Sequence, residues 1–84
     1  MPDVPAEPMK RHAVSPTKAD RSSWAEAALR RFADLTGTTT ELRTEPTVVI
    51  GDLLADLMHY CDVRQIEFAS ALESARRHYT EESR

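Results

Sequence analysis

The sequence predicts an all-α protein, a small three-helix bundle or a helical hairpin plus one helix, behind a disordered N-terminal tail. Three observations carry this. Apolar residues recur at helical spacing in three separate stretches. Between those stretches stand a Gly, a Pro and short polar segments of the kind that stop and start helices. The first 21 residues hold four prolines, few large apolar side chains and no period. With 84 residues there is room for one small domain, 22–84, behind the tail, 1–21.

The tail contains Pro2, Pro5, Pro8 and Pro16, and such a segment cannot bury enough surface to offset its ordering entropy. Lys10, Arg11 and His12 could serve as a peptide arm toward an acidic partner. A disordered leader is the plainer reading.

The first helix is expected at about 23–36. Ser23-Trp24-Ala25-Glu26 has the form of a capping box, in which the Ser hydroxyl faces the third helical N–H and the Glu reaches back. Ala25, Ala28, Leu29, Phe32 and Leu35 fall on one side, with Trp24 at its edge, and Glu26 stands four residues before Arg30 as a weak surface pair. Gly37 ends the helix in the usual C-terminal manner. The Thr-rich run that follows could hold a short turn carrying Leu42, capped by Thr38 and Glu41.

The central helix is expected at about 46–62, with Pro46 in its first turn and Thr44 or Glu45 as the cap. At about 100° per residue, Val49, Tyr60, Leu53, Leu57, Ile50, Cys61, Leu54 and Met58 fill one continuous half of the circumference. A surface helix needs an apolar stripe of only about 100°, so this one has enough to pack against two partners. Gly51 lies within it and costs up to about 1 kcal/mol relative to Ala, which implies either close approach of another backbone or simple tolerance. Asp62-Val63-Arg64-Gln65 reads as a short connection with Ile66 plugging the corner. A third helix follows at about 68–81, with a narrow face of Phe68, Ala71, Leu72, Ala75 and Tyr79, its alanines allowing it to lie close against the central helix.

Charge and cysteine usage limit the function. Eleven basic and 14 acidic residues give a net charge of −3, and the tail is +1 against −4 for the remainder. An acidic body is a poor match for phosphate backbones, whose binding rests on clustered Lys and Arg. The single cysteine, Cys61, lies in the apolar face, where it acts as a small buried hydrophobe. It leaves no intrachain disulfide, in keeping with a reducing cytosol. No apolar run has the length of a signal peptide or of the roughly 20 residues of a membrane span. A soluble, cytoplasmic protein is expected.

Candidate chemistry is sparse. Asp52, Asp56 and His59 form a short row of possible metal ligands on the central helix, but the row points away from the apolar face, and a solvated polar face explains it without a metal. Arg76, Arg77, His78 and Tyr79 could meet an anion, yet cations near a helix C-terminus are ordinary dipole partners. No phosphate-binding loop can be built from Gly37 and Gly51 alone, and no Ser sits on a glycine-flanked turn suited to nucleophilic catalysis. A helix–turn–helix would read bases with the start of its second helix; here that start is Phe68-Ala69-Ser70-Ala71, followed by Glu73.

Two resemblances centre on the same stretch. DLLADLMHYCD followed by IEFASALESARRHYTEE resembles a group of short, largely uncharacterised bacterial proteins with the pattern DLLxDLMHWCD, a turn, then IDFxxALxxAxxHYxxE. The similarity runs from about Phe32 to Glu82, and such proteins are often encoded on plasmids and other mobile elements. Where that pattern has Gly at the turn this chain has Gln65, and Glu67 replaces the Asp that would cap the last helix. The spacing of GDLLADLMHYCDVRQIEFASAL is also similar to the second half of the MazG-like all-α NTP pyrophosphatases. Asp52 matches the Asp of that family's metal-binding Glu-x-x-Asp, but Val49 stands at its Glu, and no Glu-x-x-Glu occurs in the chain. The resemblance implies helix geometry without the Mg²⁺ cage.

The sequence thus leads to an acidic helical interaction module rather than an enzyme: an adaptor, inhibitor or accessory protein without a cofactor. It would act on a protein partner or by homodimerisation, with Trp24, Val48 and Met58 as partner contacts. A degenerate MazG-like nucleotide-binding or pyrophosphohydrolase-related protein, and a small DNA-associated regulator, are the competing readings.

Overall fold

The computed structural model describes residues 16–83. They form four helices and, among the described residues, no strand: α1 (Lys18–Thr36), α2 (Thr39–Thr44), α3 (Pro46–Arg64) and α4 (Phe68–Glu82). The all-α class is as the sequence predicts. Most of the expected tail lies outside the described residues, but Lys18, Ala19, Asp20 and Arg21 belong to the first turn of α1.

Helix α1 therefore begins about one and a half turns before the expected position. Its cap is Thr17, whose Oγ1 accepts from the N–H of Asp20 at 3.1 Å while the Thr17 N–H donates to Asp20 Oδ2 at 3.0 Å. This is a reciprocal capping box, of the same form as the Ser23–Glu26 sequence that now lies inside the helix. The C-terminus ends as expected at Gly37, left-handed at φ 72°. The Thr38 N–H returns to the Ala33 carbonyl at 2.9 Å, the long bond of a Schellman turn.

Helix α2 is the short turn carrying Leu42, which is partly buried. Glu45 then caps α3, with Pro46 in the first turn and no side-chain hydrogen bond to the cap. Helix α3 runs two residues beyond the expected end and closes on Gln65, left-handed at φ 59°. Its Ile66 N–H returns to the Cys61 carbonyl at 2.8 Å. Both long helices that precede a turn thus end in the same motif, one with the residue that favours it and one without.

Helix α3 is the hub and packs against α1, α2 and α4. The core at this hub is small. Ala33 and Val49 are wholly buried and Cys61 nearly so, and among the described residues Val49 is the one large side chain fully removed from solvent. Helix α1 turns inward a face shifted from the expected one: Leu29 and Phe32 of that face are partly covered and Ala33 beside them is wholly buried, whereas Ala25, Ala28 and Leu35 are exposed. The reason is steric, because α2 and α3 cross the end of α1 where Ala33 is small enough to admit them.

Helix α4 does not lie along α3 through its alanines, since Ala71 and Ala75 are exposed and no α4 residue is buried. Phe68 at its start and Ser74 at its middle are partly covered. Its far end reaches the beginning of α1, where Arg21 pairs with Glu82 at 3.4 Å and the Lys18 amino group lies 5.6 Å from the centre of the Tyr79 ring. Ile66, expected to plug the corner, is only half covered.

Candidate interaction surface

Residues four apart on a helix form continuous rows, and α3 resolves into four of them. One row is Val49, Leu53, Leu57 and Cys61. It faces inward, although Leu57 is still 41% exposed. The next row is Ile50, Leu54 and Met58, exposed by 43%, 46% and 51%. A third is Thr47, Gly51 and Ala55, all small and all exposed. The fourth carries Val48, Asp52, Asp56 and Tyr60, also exposed.

The broad apolar face predicted for this helix is therefore split. Half of it makes the core, and the row of Ile50, Leu54 and Met58, with Leu57 beside it, stands in solvent. Contact between large apolar side chains and water is unfavourable at about 25 cal/mol per Å², so this ridge holds the free energy that a covering surface would release. Gly51 beside the ridge is in open space, with no neighbouring atom within 4 Å of where a Cβ would stand. Within one chain, then, no second backbone approaches it.

The three residues expected to meet a partner are all accessible: Trp24 is 49% exposed, Val48 48% and Met58 51%. They do not share one row. Met58 belongs to the apolar ridge, Val48 to the acidic row, and Trp24 to the outer side of α1 together with Ala28 and Leu35. Leu54 and Leu57 complete the α3 surface, and their helical spacing in the sequence already marks them as apolar. What the sequence does not disclose is which part of a half-circumference the rest of the chain covers.

Asp52, Asp56 and His59 are all exposed on α3. Among the described residues, no group of three His, Cys, Asp or Glu is placed to hold a metal ion. Cys61 is buried and unpaired with another sulfur, as befits a small hydrophobe in the core row. Tyr60 carries the Arg64 guanidinium over its ring at 5.5 Å, which holds the last turn of α3 to its own surface.

An open groove of about 830 Å³ lies between α1 and α2. Ala25, Leu29, Leu42 and Pro46 line it with Arg30 and Arg43. Arg30 is already engaged by Glu26 at 2.7 Å, the pair expected from their spacing. The hydrogen bond and the charge of Glu26 raise the guanidinium pKa above its ordinary value.

No helix among the described residues is long and apolar enough to cross a membrane. No protein-family model, no curated protein and no solved structure matches the chain.

Proposed function

We propose that this chain is a small acidic protein-interaction module, acting in the cytoplasm as an adaptor, inhibitor or accessory protein through the apolar face of α3. The observation that carries the reading is the imbalance along that one helix. Among the described residues Val49 alone of the large side chains is fully buried, while Ile50, Leu54, Leu57 and Met58 are each two-fifths to one-half exposed. A contiguous apolar surface on a helix is recognised by laying it against another apolar helix or groove. Met58 sits at the end of the ridge as a flexible side chain that adapts to the partner's shape. Trp24 on the outer side of α1 and Val48 on the acidic row are exposed outside this ridge.

The test compares wild type with Leu54→Lys, an exposed substitution that puts a charge in the middle of the ridge. Affinity capture from the native host with wild type should recover a discrete partner, or the chain itself, that the variant loses while its circular dichroism stays helical. Capture of the same set by both proteins would overturn the reading.

A further inference from the structure

We infer that the occupant of the α3 face is the α3 of a second copy, the ridge of Ile50, Leu54 and Met58 in each copy seating against the row of Thr47, Gly51 and Ala55 in the other. The inference rests on the interaction reading above and names the partner. A twofold interface requires a surface complementary to itself. Helix α3 supplies one, since a row of three large side chains runs beside a row of three small ones, and all six residues are exposed. Packing of such four-apart rows into one another is the commonest helix contact, with a crossing angle near −50°. Gly51 is the floor of the groove, and the space above it is empty in the single chain.

Charge agrees with this arrangement. The chain carries −3, so two copies attract only through a face that keeps their carboxylates apart. Asp52 and Asp56 lie on the neighbouring row beyond the small residues, each on the far side of the helix from Leu54, and the contacting rows carry no charged side chain from Thr47 to Met58.

Area agrees as well. A stable dimer covers about 800 Å² on each partner, and twelve large apolar side chains are exposed here by 40 to 80%. At 150–250 Å² for a whole aromatic side chain and somewhat less for an aliphatic one, they present on the order of 1,000 Å². The ridge and its neighbours supply about half of that area along about 17 Å of helix, and because an interface is only about three-fifths apolar, polar surface beside the ridge makes up most of the remainder. Because the described residues by themselves bury so little, a second copy, present wherever the chain itself is made, is the cover always at hand.

Analytical ultracentrifugation over a wide concentration range provides the test, with Gly51→Gln and Leu54→Gln beside wild type. Gly51→Gln fills the groove from a position with free space in the single chain and is a better helix former, so it should keep its helicity and raise the dimer dissociation constant by at least about thirtyfold, the size of one hot-spot contact. Thr47→Gln repeats the test on the same row should Gly51→Gln fail to fold. Wild type that stays a folded monomer overturns the second copy; the interaction reading survives that result if a partner captured by wild type is still lost in Leu54→Lys. A dimer broken by Leu54→Gln but untouched by both groove variants overturns the seating of ridge against groove.

Discussion

The N–H of Ile66 donates to the carbonyl of Cys61 at 2.8 Å, and this bond turns the chain out of α3 through a left-handed residue that is not glycine. Gln65 sits at φ 59°, a conformation in which its Cβ crowds the following carbonyl at a cost of about 1–2 kcal/mol. Gln65→Gly should therefore raise stability by about 1 kcal/mol, which for a domain of this size moves the melting temperature up by roughly 4–8 °C. Thermal unfolding followed by circular dichroism measures it. An unchanged or lowered melting temperature would show that the Gln side chain contributes more than its backbone strain removes.

The start of α1 hangs on the mutual bonds of Thr17 and Asp20. Thr17→Ala removes one acceptor from the first turn, and loss of such a cap costs about 1 kcal/mol. Hydrogen exchange should quicken at the amides of the first turn and stay unchanged in α3. If the cap were incidental, both regions would exchange as in wild type.

The two ends of the chain's helical layer meet where Arg21 reaches Glu82 and Lys18 covers Tyr79. Both contacts are partly open to water, the side chains of Arg21 and Glu82 being 40% and 34% exposed, so each is expected to contribute no more than about 1 kcal/mol. Arg21→Ala should release the end of α4, visible as faster exchange from about residue 76 onward. The difference from wild type should shrink at high salt, because screening weakens the ion pair. A salt-independent difference would mean that the Arg21 stem packs rather than pairs.

These contacts also show why some of the fold was legible in the sequence and some was not. Gly37, Pro46 and the Asp62–Gln65 connection are local punctuation, and the helix boundaries they imply lie within two residues of those observed. The start of α1 has two capping signals six residues apart, Thr17 with Asp20 and Ser23 with Glu26. Nothing local separates them. The earlier one is used, and that first turn is where α4 finds Lys18 and Arg21, a tertiary fact. Ala33 was missed for a related reason: periodicity ranks large side chains, and this position is buried because it is small. On α3 the sequence disclosed the apolar half-circumference but not its division into a covered row and an open one, which depends on where α1, α2 and α4 lie.

Adjacent valines on α3 make that division measurable. Val49 is wholly buried and Val48 is 48% exposed on the acidic row. Val49→Ala removes two buried methyl equivalents and leaves a void at the hub, an expected loss of about 2 kcal/mol. Val48→Ala should change stability by less than about 0.5 kcal/mol, as exposed substitutions do. In denaturant titrations the two variants should differ in midpoint with a shared slope. If Val48→Ala proved as damaging as Val49→Ala, Val48 would have to be covered in solution by something other than the described residues, and the contact surface would extend from the ridge around to the acidic row. A neutral Val48→Ala confines the surface to the side of α3 that carries Leu54 and Gly51.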